Sequence, residues 1–332
     1  MASAAPDTLA GQGNLSGLFL AITLRLQREN LMALPYEDEI ATNIKSEHET
    51  VLNAMRETLS TAVILLSETS LSSDLRGVDR HVCAMTLGLY AKACKTHRSI
   101  QHLLAAGLTS DAEALLRVLF ETTVAIHFIL KKQSALRSRM YGMFPLVQAA
   151  KASRGWQRTK GMKRLGKSLA KNSDGVLRDS VSTFAKRLSS VRSAHPFGPA
   201  IAPTAMAFVK AKTPQARDSA LSAAVKAVAD ALNRHWSGQS LEYASSGRDL
   251  SRLYQSVFRS TSSSTHASDI TSHISSPDTA YEIVVNLAPD GEQVPRTANT
   301  ARFLLWLAAK RINERFRLGK EASIQAAQPR VV

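Results

Sequence analysis

The stretch from Ala114 to Leu130 constrains the fold more than any other part of the chain, because apolar residues cover nearly every face of the helix that it predicts. A surface helix needs only one apolar stripe, so a helix that is apolar all round is expected to be buried. The preceding residues, Ser110-Asp111-Ala112-Glu113, match a capping box in which the Ser110 hydroxyl accepts from the backbone N–H of Glu113. We therefore predict a central, buried helix that starts at this box.

Apolar residues also recur at helical spacing through most of the remaining chain. Further helices are predicted over residues 36–68, 74–106, 135–150, 214–236, 240–260 and 296–317. Gly107 is a plausible stop for the second of these. Residues 281–287 alternate weakly and run into Pro289-Asp290-Gly291, which allows one short β-hairpin near 281–295. The predicted fold class is mainly α, a helical bundle.

Breaks in this periodicity divide the chain into five segments. We predict an N-terminal extension (1–35), the first half of a helical bundle (36–150), a basic, loop-rich insertion (151–213), the second half of the bundle (214–318) and a flexible tail (319–332). Closing one bundle from both halves would bring together polar residues that are far apart in sequence.

The positive charge of the chain is concentrated in one segment. The 332 residues include 42 Lys and Arg against 27 Asp and Glu, a net charge of +15. Residues 151–192 hold 12 of the basic residues and only two acids, so they carry +10 of that total. Such an excess indicates an anionic partner, although a solvated basic surface is an equally good interpretation. The residues predicted to bind nucleic acid are Arg158, Lys160, Lys163, Arg164, Lys167 and Lys171.

The cysteines and the N-terminal region indicate in which cellular compartment the protein is expected. Cys83 and Cys94 are eleven residues apart on one predicted helix, which separates them by about 16 Å, too far for a disulfide. Unpaired, infrequent cysteines are typical of a reducing compartment. The apolar run from Leu15 to Leu26 contains Arg25 and is too short to span a bilayer. We therefore expect a cytoplasmic protein without a membrane partner.

Glu113, Arg117 and Glu121 form a charged stripe on the predicted central helix, because they stand at positions i, i+4 and i+8. Charges in a buried helix are costly unless they are paired. The stripe is either a structural ladder of ion pairs or the polar wall of a central cleft.

A second set of reactive side chains lies in a serine-rich stretch. Arg259 and His266 are seven residues apart and share a face if the segment is helical. Arginine can clamp a phosphate and histidine can move a proton near neutral pH, so the pair could cleave RNA without a metal. An alternative is a metal site made by His266, Asp269 and His273, for which no fourth ligand is evident.

Two stretches together resemble a family of helical bacterial proteins known mainly as a domain of unknown function. The first runs from His97 to Gly107 and continues over 112–121; the second comprises 236–240, Tyr254 and 259–268. The resemblance covers roughly residues 75–275. The positions that match its pattern are Arg117, Glu121, Arg259, Ser262 and His266.

The Arg-x6-His spacing is also similar to that of the HEPN superfamily of helical bundles, many of which are metal-independent ribonucleases in toxin or anti-phage systems. The resemblance implies a homodimer in which Arg259 and His266 face the partner's copy across a cleft. It further implies catalytic roles for Arg259, His266, Arg117 and Glu121, with Tyr254, Ser262 and Glu113 in support. Ser260 departs from the superfamily pattern, in which Asn, Asp or His often follows that arginine.

The sequence therefore predicts a metal-independent endoribonuclease or RNA-binding effector that needs no cofactor. The rival hypothesis is a non-enzymatic helical binding module whose charged stripe is structural.

Overall fold

The structure is a computed structural model. It describes residues 37–71, 79–159, 161–190, 198–233, 235–237, 239–258, 274–275, 284–285 and 291–329. Its helices are α1 Glu37–Glu47, α2 Glu49–Leu71, α3 Arg80–Ala105, α4 Thr109–Lys131, α5 Ser134–Arg158, α6 Lys163–Ser189, α7 Gly198–Lys210, α8 Pro214–Ala231, α9 Leu241–Ala244, α10 Arg248–Leu253, α11 Val294–Phe316 and α12 Glu321–Ala326. A π-helical turn, Tyr254–Phe258, continues α10. The predicted mainly α class and helical bundle are confirmed.

The main core is built around α4, as its apolar sequence predicts. Residues 122–126 and 128–130 of α4 are buried without a break, so this helix has neighbours on several sides. They are α3, α11 and the π-helical turn, while α2 packs against α3 and α11. Phe120, Ile126 and Ile129 are fully buried here, together with Leu304 and Ile312 of α11. We refer to this part as the main bundle.

A second apolar core joins α5, α6, α7 and α8. Met140 and Val147 of α5 pack in it with Val181 of α6, Ile201 of α7 and Val228 of α8. The partly buried Phe144 contacts both cores. The α8 helix, predicted to help close the main bundle, thus contributes its apolar face to the second core instead.

The segment expected to be loop-rich, 151–213, is largely helical. It contains the end of α5, all of α6 and all of α7. Of the glycines that interrupt its apolar periodicity, Gly155, Gly166 and Gly175 lie within α5 or α6, and Gly161 lies in the turn between them with a left-handed φ of 85°. Gly166 is needed where the two helices touch. A Cβ on Gly166 would stand 2.8 Å from the carbonyl oxygen of Ser153 and 2.9 Å from the backbone nitrogen of Gln157. We call the paired ends of these helices, 151–173, the α5–α6 hairpin.

Asp79 fastens α5 and α6 to the main bundle, at the ends of these helices that are far from the hairpin. One carboxylate oxygen accepts from the backbone N–H of His81 (3.0 Å) and so caps α3. The other oxygen accepts from Arg139 of α5 (2.9 Å) and from Arg187 of α6. Burial would raise the pKa of Asp79, but these two arginines hold that pKa well below its usual value.

The turn between α3 and α4 changes the predicted start of α4. Gly107 has a left-handed φ of 74° and ends α3, as predicted. Leu108 follows at once, and its carbonyl oxygen accepts from the backbone N–H of Ala112 (3.1 Å). Because α4 already begins at Thr109, Ser110 lies inside its first turn and cannot be the N-cap. The predicted capping box is therefore wrong. The N-cap is Leu108, and no side chain makes a capping hydrogen bond there.

The last residues of the chain differ from the predicted flexible tail. Residues 321–326 form α12, Ile324 is buried, and its carbonyl oxygen accepts from the indole N–H of Trp306 (2.8 Å). In the described part of the predicted tail, 319–329, this buried donor and acceptor satisfy one another and hold α12 against α11.

The short hairpin is two residues long in each strand. Ile274–Ser275 (β1) pairs antiparallel with Val284–Val285 (β2). Its second strand falls within the expected range of 281–295 and its first strand precedes that range. Cys83 and Cys94 are free thiols. The predicted N-terminal extension lies outside the described residues, and the domain boundaries stay a prediction.

Candidate functional site

The predicted pair Arg117 and Glu121 forms an ion pair along α4. The Nε of Arg117 lies 3.3 Å from the Oε1 of Glu121, and the two side chains are 18 % and 48 % exposed. Glu113 lies one turn earlier on the same side of the helix and is partly buried. The charged stripe is therefore at the edge of the main bundle, where α4 is no longer covered on every face.

Arg117 also packs against an aromatic residue that the sequence analysis did not single out. Its guanidinium carbon is 4.2 Å from the centre of the Phe258 ring, a distance typical of a cation–π contact. Phe258 stacks on Tyr254 with ring centres 5.1 Å apart and planes 13° apart. Phe120 supports both rings from α4, at 6.4 Å from Tyr254 and 6.1 Å from Phe258. The spacing of four between Tyr254 and Phe258, just before Arg259, is the signal that could have identified them.

The backbone beneath these rings is a π-helical turn. It spans Tyr254–Phe258 and includes the buried Val257. Single π-helical turns within α-helices occur frequently at functional sites, because the wider turn alters which side chains share a face. Here the turn continues α10 and packs against α4, next to the ion pair.

Tyr141 of α5 belongs to the same neighbourhood. Burial raises the pKa of its hydroxyl, and the negative charge of Glu121 raises it further. Its ring meets Trp236 edge-on, with ring centres 5.1 Å apart, and Trp236 meets Phe128 of α4 in the same way at 5.3 Å. Trp236, part of the second sequence stretch, therefore anchors the residues before α9 to α4 and α5. We call Arg117, Glu121, Tyr141, Tyr254 and Phe258 the α4 site.

The remaining predicted reactive residues lie outside the described residues. They are Arg259, Ser262 and His266, together with Asp269 and His273 of the alternative metal site. Arg259 directly follows Phe258 in the sequence. The predicted cleft between Arg117–Glu121 and Arg259–His266 stays a prediction.

The predicted nucleic-acid-binding residues lie at the end of the α5–α6 hairpin. Arg158 is the last residue of α5, and Lys163, Arg164, Lys167 and Lys171 lie in the first half of α6. All five are exposed, while Lys160 lies outside the described residues. Lys163, Lys167 and Lys171 follow one another at intervals of four and therefore form a row along α6.

The surroundings of this row favour an anionic partner. Residues 151–173 contain eight Lys and Arg and no Asp or Glu. Lys151 and Arg154 of α5 line a groove of about 730 Å³ on the side where α8 packs, and the carboxylates of Asp174 and Asp230 also line it. Trp156 is 41 % exposed near the end of the hairpin, whereas Trp236 and Trp306 are buried.

Three other histidines lie on α3 and α4. His97 is fully buried, His127 is partly buried, and His102 is exposed on α3. Burial lowers the pKa of His97 to about 3 and that of His127 to about 4, and the charges of Arg302 and Arg311 act in the same direction. Both rings are therefore neutral at physiological pH.

Comparison with known proteins gives one match. No curated protein and no solved structure matches the chain significantly.

None of the described helices is both long and apolar enough to cross a bilayer. The model of a family of unknown function, DUF5677, matches residues 84–281, which include most of α3, the α4 site and the α5–α6 hairpin. By that match the chain belongs to the DUF5677 family.

Proposed function

We propose that the protein is an RNA-binding effector with a metal-independent endoribonuclease centre next to the α4 site. Arg117 and Glu121 would form one side of this centre, and Arg259 and His266 the other. Tyr254, Ser262 and Glu113 would support them. The α5–α6 hairpin would hold the RNA backbone.

The contact between Phe258 and Arg117 is the observation that carries this proposal. Arg259 is the next residue in the sequence after Phe258, whose ring stacks on Arg117. Two arginines from distant parts of the sequence, one of them ion-paired with a carboxylate, suit the charge of a phosphodiester.

The proposed reaction needs only groups of the chain. His266 takes the proton from a ribose 2′-hydroxyl, and the 2′ oxygen attacks the adjacent phosphorus. The P–O5′ bond breaks, the protonated His266 gives its proton to the leaving 5′ oxygen, and the products are a 2′,3′-cyclic phosphate and a 5′-hydroxyl end. Arg117 and Arg259 stabilise the additional negative charge of the pentacovalent phosphorane. Glu121 keeps the Arg117 guanidinium oriented through their ion pair.

The basic surface of the α5–α6 hairpin supports RNA as the substrate. Lysine and arginine side chains that neutralise phosphates release counterions, which makes the affinity strongly dependent on salt. Eight basic residues without an acid over 151–173 provide such a surface. A cytoplasmic homodimer acting in a toxin or anti-phage system is part of the same proposal.

RNA cleavage by the purified protein in the presence of EDTA tests this function. We expect fragments with 2′,3′-cyclic phosphate ends from the unaltered protein, and loss of cleavage with retained binding for His266→Ala and Arg259→Ala. Lys163→Glu combined with Lys167→Glu should weaken binding and flatten its salt dependence, while Lys92→Glu, an exposed residue of the main bundle, should not. Equal cleavage by His266→Ala and the unaltered protein would contradict the catalytic assignment.

A non-enzymatic binding module is the second candidate, and one observation favours it. Arg117 is already engaged by Glu121 and by Phe258, so it has a purely structural explanation. On this hypothesis, Arg117→Ala lowers stability and His266→Ala changes neither stability nor RNA integrity.

A further inference from the structure

A groove between α1, α2 and α3 is separate from the α4 site and from the α5–α6 hairpin. Its volume is about 820 Å³, within the range of small-molecule sites in proteins. Lys45 of α1, Arg56 of α2 and Arg98 of α3 all line it. We call it the α1–α3 groove.

One wall of the groove is the sequence stretch His97–Gly107, which the proposed ribonuclease centre does not use. Arg98, Gln101, His102 and Ala105 all line the groove. They stand at i, i+3, i+4 and i+7 and so share one face of α3. A stretch singled out by its resemblance to a protein family thus forms one side of a concave surface.

The charges in the groove favour an anion. Its three permanent cations, Lys45, Arg56 and Arg98, face a single carboxylate among the described lining residues, that of Glu49. Within the part of the chain that the structure describes, no salt bridge involves any of these three cations. A dianionic phosphate would balance this excess better than a monocarboxylate would, and arginine binds phosphate through two parallel hydrogen bonds.

Two of the polar side chains in the groove are held in place by neighbours. The Oδ1 of Asn53 accepts from Arg56 (2.8 Å), which fixes that guanidinium one turn along α2. The amide nitrogen of Gln101 donates to the carbonyl oxygen of Leu52 (3.0 Å) and links α3 to α2. Preorganised donors lose less conformational entropy when a ligand binds.

The apolar residues of the groove indicate that the ligand is more than an inorganic ion. Leu52, Leu59 and Ala105 line it beside the cations, and Leu52 is buried. Apolar lining with a few placed polar groups is the usual composition of a site for an organic ligand. A bare phosphate would leave this apolar part uncovered.

We propose that the α1–α3 groove binds a small organic phosphate. Lys45, Arg56 and Arg98 hold the phosphoryl group, and the apolar part of the ligand lies on Leu52, Leu59 and Ala105. The site neither requires nor excludes RNA cleavage at the α4 site, because no residue belongs to both.

Binding of 1-naphthyl phosphate, followed by its fluorescence anisotropy with the full-length protein, tests this proposal. Inorganic phosphate and 1-naphthol serve as competitors. We expect 1-naphthyl phosphate to bind about tenfold more tightly than either competitor. Inorganic phosphate lacks the naphthyl ring that would cover the apolar residues, and 1-naphthol lacks the phosphoryl group that the cations would hold. Arg56→Gln and Arg98→Gln should each weaken binding about tenfold, as expected for a lost charge-assisted hydrogen bond.

Arg80→Gln is the matched control, since Arg80 is an exposed arginine of the same helix, α3, and does not line the groove. It should leave binding unchanged, and unfolding curves should show that all three variants are folded. Equal weakening by Arg80→Gln, or no binding at all, would overturn the site. Inorganic phosphate binding as tightly as 1-naphthyl phosphate would overturn the organic ligand, and competitive displacement by single-stranded RNA would assign the groove to RNA instead.

Discussion

The guanidinium carbon of Arg117 lies 4.2 Å from the centre of the Phe258 ring, although the two residues are 141 positions apart in the sequence. Phe258 is the last described residue before the serine-rich stretch that contains Arg259 and His266. This contact therefore links the two sequence stretches that we associated with chemistry. Four predictions test the contacts on which the fold and the proposals depend.

Arg117→Ala should destabilise the main bundle by about 1–2 kcal/mol, since it removes a cation–π contact and a partly exposed ion pair. Urea unfolding at pH 7 measures this loss. Glu121→Gln is the matched variant, because it removes the ion pair and keeps Arg117 on Phe258, and should cost less than 1 kcal/mol. An equal loss for both variants would show that the ring contact contributes little.

Gly166→Ala should disrupt the α5–α6 hairpin, because its Cβ would meet backbone atoms of Ser153 and Gln157 at less than 3.0 Å. We expect a loss of about 1–3 kcal/mol in thermal unfolding experiments, as for other overpacked sites. Gly175→Ala, in the middle of the same helix, is the control because nothing lies within 4 Å of its Cβ position. That variant should gain about 0.5–1 kcal/mol from helix propensity. Similar behaviour of the two variants would contradict the close approach at Gly166.

Asp79→Asn should destabilise the protein by about 1–3 kcal/mol at pH 7, because Arg139 and Arg187 lose their shared carboxylate. Asparagine is also a good N-cap, so the cap of α3 should survive. The pKa of Asp79 is lowered in the folded state, so its contribution is present above the unfolded pKa of about 3.9 and is lost as the pH falls below it. The difference between variant and unaltered protein, measured by urea unfolding, should therefore narrow toward pH 3. A constant difference would argue against the ion pairs.

His97→Leu should weaken the acid sensitivity of the protein. The pKa of His97 is lowered to about 3 by burial, so the unfolded chain takes up a proton on this residue before the folded protein does. The folded protein therefore loses stability relative to the unfolded chain as the pH falls from the unfolded pKa of about 6.5 toward 3. Neither ring nitrogen has a hydrogen-bond partner among the described residues, so leucine should cost little at pH 7.

Melting temperatures of His97→Leu between pH 7 and pH 5 measure this effect, with His102→Leu as the control on an exposed site of the same helix. The slope of melting temperature against pH should decrease for His97→Leu alone. An unchanged slope would mean that the ring is already protonated, or hydrated, in the folded protein.

Local sequence determined the helices of the main bundle well, since apolar periodicity reflects which face of a helix is buried. The end of α3 at Gly107 and the burial of α4 are examples. The predicted start of α4 was wrong because it relied on Ser110 as the N-cap. In the structure the turn after Gly107 lets the carbonyl oxygen of Leu108 accept the first helical hydrogen bond, from the backbone N–H of Ala112. The α5–α6 hairpin was missed because glycines lower helix propensity, whereas Gly166 is favoured there by contact with a second helix.

For the candidate site too, some features were predictable from the sequence and others depend on contacts between distant helices. The sequence by itself placed Arg117 and Glu121 one turn apart and concentrated the positive charge in 151–192, because both depend only on residue spacing and residue type. Only the tertiary structure decided that Phe258 packs on Arg117, that α8 belongs to the second core, and that α1 to α3 enclose a cationic groove. These are contacts between helices far apart in the chain, and they depend on how apolar faces share a limited interior, which no local pattern specifies.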